Sequence, residues 1–282
     1  MSSTGIAWKA FWDRGGWWKA ALLVAAYWGI YELLGLLCST VFASFIDAEN
    51  PVSNVSSVFF GVALPILLAG GLLVLFTWSV GWLREMFARQ PVKGRPWMWV
   101  AVVLVIVPII LRLIGTNWSA YSVTLVLAIL FLGLCVGFTE ELATRGLAVT
   151  IIRKGGHGER TVFVLSSLLF ALLHAGNLVA GQAPLVVAIT VVYTFGFGAM
   201  MYLSLRATGR LVWVMLLHAA TDPTTILAAG GIDAHSDTTG STSGLISFAG
   251  LFNYVYILLA LVAIFLVRNR EDAKAAPVIE RG

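Results

Sequence analysis

Phe138-Thr-Glu-Glu-Leu-Ala-Thr-Arg145-Gly146 ends an apolar run that begins near Ser122, and it sets two adjacent carboxylates and an arginine where lipid-facing sequence carries none. A carboxylate at the centre of a membrane-spanning helix costs on the order of 3 kcal/mol to insert, so two side by side mark a functional site by default. On a helix Glu141 and Arg145 lie four apart on one face and can form an internal ion pair. Glu140 points about 100° away round the same helix, free for other work. The rest of the chain reads as a scaffold that holds these charges inside a membrane.

Composition excludes an ordinary soluble domain. Hydrophobic residues make up 59% of the 282 and charged residues only 11%, and the mean hydropathy is +0.91, as in multi-spanning membrane proteins. The length suits one integral membrane domain, 1–282, of all-α class. Cys38 and Cys135 both fall in apolar runs, which predicts buried thiols and no disulfide framework. The net charge of +4 comes from basic residues spread along the chain in short clusters, so it reports topology and no nucleic-acid partner.

Eight apolar runs are expected to span the bilayer: Ala20 to Phe45, Val58 to Leu83, Trp97 to Ile114, Ser122 into the Glu140-Glu141 pair, Val162 to His174, Leu185 to Leu205, Leu211 to Leu227, and Leu245 to Val267. Runs of this length fit a ~30 Å hydrocarbon core at about 1.5 Å per residue. Segment 1–19 mixes tryptophans with basic residues and reads as an interfacial anchor; it carries no small-residue cleavage site and is expected to be retained. The Gly/Ser/Thr-rich stretch from Gly230 to Gly244 reads as a flexible connector, and 268–282 as a charged tail.

All Lys and Arg but Arg112 and Arg145 fall in the N-terminus, the loops after spans 2, 4 and 6, and the tail; the loops after spans 1, 3, 5 and 7 hold none. The positive-inside rule then places both termini in the cytoplasm. Arg112, near the outer end of span 3, is expected to snorkel to the interface or pair internally, with contact to substrate as the alternative.

Topology sets depth. Glu141 lies 12 residues before Arg153, roughly 18 Å at helical rise. His174 lies 14 residues past Arg160, and His218 and Asp222 lie 8 and 12 past Arg210, roughly 21, 12 and 18 Å. Three spans therefore bring ionisable groups to similar depth. His218 and Asp222, four apart, face one point from one helix. Polar contacts that merely glue helices together use Ser, Thr, Asn or Gln, which are cheaper to bury, so Glu140, Glu141, Arg145, His174, His218 and Asp222 are read as one polar site.

These residues resemble the motifs of the CPBP intramembrane proteases, the group of CAAX prenyl endopeptidases and bacterial Abi-type bacteriocin-processing or immunity proteins. Glu140-Glu141-x-x-x-Arg145, Phe170-x-x-x-His174 and His218-x-x-x-Asp222 look like that family's EExxxR, FxxxH and HxxxN/D motifs, in order on successive spans. The resemblance covers about 122–228, the expected catalytic core. It implies hydrolysis of a peptide bond inside the bilayer, in a membrane-associated protein or peptide, by a multi-pass protein of the bacterial plasma membrane. It further implies that Glu140, assisted by His174, activates water, that His218 and the residue at 222 stabilise the oxyanion, and that Glu141 and Arg145 hold the site or share the catalytic load. Where the CAAX endopeptidases carry Asn, this chain has Asp222, which donates a hydrogen bond only when protonated. Glu140, His174, His218 and Asp222 are also an N/O set that Zn2+ accepts, so a metalloprotease stands beside the preferred metal-free, glutamate-type reading.

Burial and a neighbouring carboxylate together bring a glutamate nearer the strength a general base needs. The expected cut lies in the cytoplasmic half of the bilayer. Glu32 in span 1 is read as structural, pairing with Arg145 or Arg112, or as lining a substrate path or water-filled cavity. Gly196 and Gly198 are expected to allow close helix packing, and Thr144 to bond either the Glu140 carboxylate or its own helix. Asn54-Val-Ser56 and Asn117-Trp-Ser119 match glycosylation acceptors, which has meaning only in a secretory-pathway host. Two other classes remain: a non-catalytic membrane scaffold or regulator, and a proton-coupled transporter that uses the carboxylates as a relay.

Overall fold

The computed structural model describes residues 3–230 and 244–268; positions 231–243 of the expected connector and 269–282 of the expected tail lie outside the described residues. Helix α1 (Ser3–Asp13) precedes eight helices long and apolar enough to cross a membrane: α2 (Trp17–Val41), α3 (Val55–Ser79), α4 (Pro96–Gly115), α5 (Val123–Lys154), α6 (Glu159–Leu178), α7 (Pro184–Thr208), α8 (Leu211–Ala229) and α9 (Gly244–Leu266). No strand occurs among the described residues. The architecture is the expected polytopic helical bundle.

Where boundaries differ from expectation, local chemistry explains it. The second span starts early because the Asn54 side chain accepts from the Ser57 amide at 2.9 Å and caps the helix. It stops before Leu83 because Gly81 turns the chain with a left-handed φ of 74°. The fourth span does not end at the acidic pair. Its helix continues through a wide π turn over Leu142–Ala148 to Lys154, and every residue of that turn is buried. Wide turns of this kind recur at functional sites.

Two close approaches position the site. Gly133 and Gly137, one turn apart on α5, let α8 come to backbone contact: a Cβ on Gly137 would stand 2.5 Å from the Met215 carbonyl oxygen and 2.6 Å from the Ala219 nitrogen, and one on Gly133 would strike the Pro223 ring. This is the small-xxx-small packing that membrane helices use in place of a hydrophobic driving force. It sets the acidic pair of α5 beside His218 and Asp222 of α8. Gly196 of α7 similarly admits α9, whose Ile257 nitrogen would lie 2.9 Å from an added Cβ.

The tightest packing lies at the end of the bundle that carries the basic loops. Leu147, Ala148, Val149, Ile151 and Ile152 of α5 and Ala199 to Leu203 of α7 are fully buried there. Arg153 and Arg206, which the sequence presents as loop charges, belong to this packing. Arg153 Nε and Arg206 NH1 lie 2.8 and 2.7 Å from the two Glu159 carboxylate oxygens. The Tyr202 hydroxyl donates to the same carboxylate, Arg206 also donates to the Lys93 carbonyl at 2.9 Å, and Arg153 to the Gln90 side chain at 2.7 Å. The N-terminal anchor is tied to the same end: Trp12 is buried with its ring 4.9 Å from that of Phe76, Trp82 Nε1 donates to Asp13 at 3.0 Å, and the Gly16 amide donates to the Ile151 carbonyl at 2.9 Å. Cys38 and Cys135 are free and buried, as expected.

Candidate active site

Helix α5 supplies Glu140, Glu141 and Arg145, α6 supplies His174, and α8 supplies His218 and Asp222. Arg145 is fully buried. Its guanidinium lies 3.3 Å from Glu141 Oε1, donates to the Thr144 hydroxyl at 2.6 Å and to the Gly198 carbonyl at 2.7 Å, and rests over the Phe170 ring at 4.2 Å. A Cβ on Gly198 would stand 2.9 Å from Arg145 NH2, so the missing side chain at 198 admits the arginine. The Thr144 hydroxyl donates to the Glu140 backbone carbonyl at 2.6 Å; it bonds its own helix and not the carboxylate.

His218 is the hub. Its Nδ1 lies 2.8 Å from Glu141 Oε1, and its Nε2 lies 3.4 Å from Asp222 Oδ2 and 4.0 Å from Glu140 Oε2. Both ring nitrogens thus face carboxylate oxygens, which when ionised can only accept, so a proton sits in the close contacts to Glu141 and Asp222, on the ring or on a carboxyl. Phe170 and Phe197 pack edge-on against the ring, with centroids at 5.7 and 5.1 Å, and fix its plane. His174 is half-buried on the same cavity. Its Nδ1 faces the Phe170 carbonyl at 3.3 Å, which leaves Nε2 as its free nitrogen; no hydrogen bond or ion pair joins it to Glu140.

The structure therefore joins Glu141, Arg145, His218 and Asp222 directly, with Glu140 one atom's width from His218 and His174 on the wall they share. A cavity of about 500 Å³ opens over Glu140, His174, His218 and Asp222. Its remaining lining includes Thr225, Ala228 and Ala229 of α8, Asn177 of α6 and Ala180 just past its end, and Ile246 and Gly250 of α9, all toward the helix ends that adjoin loops without Lys or Arg. The open volume thus lies in the half of the bundle away from the basic loops. The reason is the depth already countable along α5 and α6, which exceeds half of a ~30 Å core.

Glu32 lines the cavity wall and pairs with neither Arg145 nor Arg112. It crowds α6 with Trp28: a Cβ on Gly176 would meet Glu32 Oε1 at 2.5 Å and Trp28 Nε1 at 2.6 Å. Sequence reasoning missed several wall residues, among them Tyr27, Asn177, Tyr193 and Asn253. Intramembrane asparagines carry the same signal as histidines at lower cost. The Gly133-x-x-x-Gly137 spacing that sets α5 against α8 was likewise readable.

For Zn2+ the donors do not fit as placed. Among the described residues no three His, Cys, Asp or Glu side chains group as a metal site requires.

Residues 122–224 match the family model described as Type II CAAX prenyl endopeptidase Rce1-like. No curated protein and no solved structure matches the chain. The matched segment begins at Ser122, whose side chain caps α5 by accepting from the Leu125 amide, and ends two residues past Asp222, so it contains the whole cluster built above. This match over residues 122–224 supports the CPBP/CAAX protease family that the three motifs resemble.

Proposed function

We propose that this protein is a glutamate-type intramembrane endopeptidase that cuts a membrane-associated protein or peptide, of CAAX type or of the bacteriocin and immunity type, in a bacterial plasma membrane. The observation that carries the reading is His218, held by Glu141 on one nitrogen and facing Asp222 and Glu140 with the other, at the floor of a cavity that His174 also lines.

In this reading Glu140 takes a proton from a water molecule that His174 helps to orient, and the oxygen adds to the scissile carbonyl carbon. The carbonyl oxygen becomes an oxyanion stabilised by the proton on His218 Nε2 and, where Asp222 is protonated, by its carboxyl. Glu140 then delivers its proton to the departing nitrogen, the C–N bond breaks, and a new carboxyl and a new amine leave. The 4.0 Å between Glu140 and His218 Nε2 exceeds a direct hydrogen bond, so both groups keep capacity for a reacting oxygen placed between them. A positioned general base contributes about 10²–10⁴-fold and one oxyanion donor about 10²–10³-fold.

The test compares peptide N-termini and C-termini in host membranes and secreted fractions for wild type, Glu140→Gln and His174→Ala at matched expression. New ends in membrane-proximal segments that need both residues support the protease. Identical proteomes in all three overturn it and leave the scaffold reading.

A further inference from the structure

Arg112 does neither of the things its sequence position suggests. It is 9% exposed, so it does not snorkel, and among the described residues no hydrogen bond or ion pair engages its guanidinium. It stands on the cavity wall near Tyr256 and Asp222, with Asp222 beyond ion-pair distance and turned instead to His218 at 3.4 Å. The contrast with the other buried arginines is sharp: Arg145 and Arg206 each hold a carboxylate and a backbone carbonyl. A guanidinium taken out of water without an anion is costly, and its planar fork matches a carboxylate in a two-bond fit that an ammonium cannot reproduce.

The rest of the wall rejects anions, since Glu32, Glu140 and Asp222 all face the same space. Among the described residues Arg112 is the one arginine or lysine on the cavity wall, so it is the fixed cation that an entering carboxylate meets. Arg112 is 3 residues from the outer end of α4, whereas Asp222 is 7 from the outer end of α8, so Arg112 stands roughly 6 Å nearer the mouth at helical rise. A carboxylate held there fixes how far along the peptide the bond over Glu140 lies. Resting on the protease reading above, we propose that Arg112 is a specificity residue that binds a carboxylate of the substrate, and that its fork sets the register of cleavage.

The carboxylate has two sources, a free C-terminus or an acidic side chain near the cut. The probes are quenched-fluorescent peptides with an S-farnesyl cysteine fourth from the end, followed by two aliphatic residues and a final residue. One has a free C-terminus, one a C-terminal amide, and one the amide with Asp as its final residue. They are cleaved by purified full-length protein in proteoliposomes. Wild type is expected to lose about 10- to 100-fold in kcat/KM on amidation, as charge-assisted two-bond contacts are worth, and recovery by the Asp peptide would assign the site to side chains as well. In Arg112→Gln the free-acid peptide falls to the level of the amide, the amide changes by less than about threefold, and the preference disappears; Arg112→Lys restores only part of it.

A preference that survives Arg112→Gln overturns the proposal, as does an equal loss on all three peptides, which makes Arg112 a counter-charge for Asp222. Arg112→Lys carries the same test should the Gln variant fail to fold. Equal cleavage of acid and amide by wild type overturns the carboxylate site and leaves the protease standing. No cleavage by wild type, together with identical proteomes for Glu140→Gln, overturns both.

Discussion

Replacing each of the two adjacent glutamates by glutamine should separate structure from chemistry. Glu141 is fully buried, and its Oε1 serves Arg145 and His218 at once, at 3.3 and 2.8 Å. Glu141→Gln removes the charge and leaves Arg145 with only the Thr144 hydroxyl and the Gly198 carbonyl. Breaking a buried ion pair on one side costs about 3–5 kcal/mol. The lower end applies here, because an unfolded chain in detergent or lipid also finds polar partners, and about 3 kcal/mol is roughly a hundredfold in the folding equilibrium at ~1.4 kcal/mol per tenfold. Glu140 is 16% exposed at its side chain, and its nearest charged contact is His218 at 4.0 Å. Glu140→Gln keeps the shape and should cost less than about 1 kcal/mol while removing the proposed general base, worth about 10²–10⁴-fold in rate.

The assay is unfolding in mixed micelles with increasing SDS, followed by circular dichroism and by reactivity of the buried thiols Cys38 and Cys135, alongside cleavage of the farnesyl peptide in proteoliposomes. The expected pattern is a lower SDS midpoint for Glu141→Gln alone and a wild-type midpoint with lost cleavage for Glu140→Gln. Equal destabilisation by both variants, or a Glu141→Gln protein as stable as wild type, would refute the division of labour.

Other consequences are sharp enough to measure. Gly137→Leu should push α5 off α8, since even a Cβ there lies 2.5 Å from the Met215 carbonyl oxygen, and overpacking of this kind costs about 1–3 kcal/mol; cleavage should fall at least tenfold while Gly35→Ala, where an added Cβ meets nothing within 4 Å, retains it. Glu159→Gln should destabilise the bundle by about 3 kcal/mol through Arg153 and Arg206, read as a lower SDS midpoint, without changing the acid-to-amide preference of the peptides. Burial pushes the Asp13 carboxyl up, but hydrogen bonds from Lys9 and Trp82 and the charge of Lys154 outweigh it and hold the group below the ordinary value of 3.8. Its stabilisation is therefore full above about pH 4 and lost as pH falls through the lowered value; Trp82 fluorescence should report that acid transition in wild type and lack it in Asp13→Asn. Cysteines introduced at Thr225 or Asn253 should react with a membrane-impermeant thiol reagent from the face opposite the basic loops, and labelling only from the basic face would refute the placement of the cavity mouth.

Much of this was legible because a membrane restricts what a sequence can hide. Apolar length alone located eight spans, and the cost of burying charge singled out Glu140, Glu141, Arg145, His174, His218 and Asp222 before any contact was known. The i,i+4 rule anticipated the Glu141–Arg145 pair. What it did not anticipate was that Glu141 also holds His218, because a partner 77 positions away depends on helix packing that no local period encodes. Arg153 and Arg206 misled for a related reason: basic residues beside a span end look alike whether they face water or close on a buried Glu159. Arg112 was read as snorkelling or pairing internally, with contact to substrate only as the alternative, because a count along the helix gives its depth and not its direction.

The distribution of open and closed volume also favours the proposed hydrolase over a transporter. A proton-coupled carrier needs a site that two gates expose in turn, commonly built where helices break near the midplane. Here α5 is widened by a π turn after the acidic pair but stays continuous to Lys154. The end beyond it is filled by side chains with no exposure and clasped by Arg153, Glu159, Tyr202 and Arg206. Opening that end would separate a buried carboxylate from two arginines at once, at several kcal/mol per broken pair. A hydrolase has the opposite requirement. It needs water and one stretch of peptide at a carboxylate, and a floor rigid enough to hold His218 against its partners through the reaction. One open end over Glu140 and one sealed end beneath Arg145 meet that requirement, and the sealed end keeps the water path to the site from becoming a leak across the membrane.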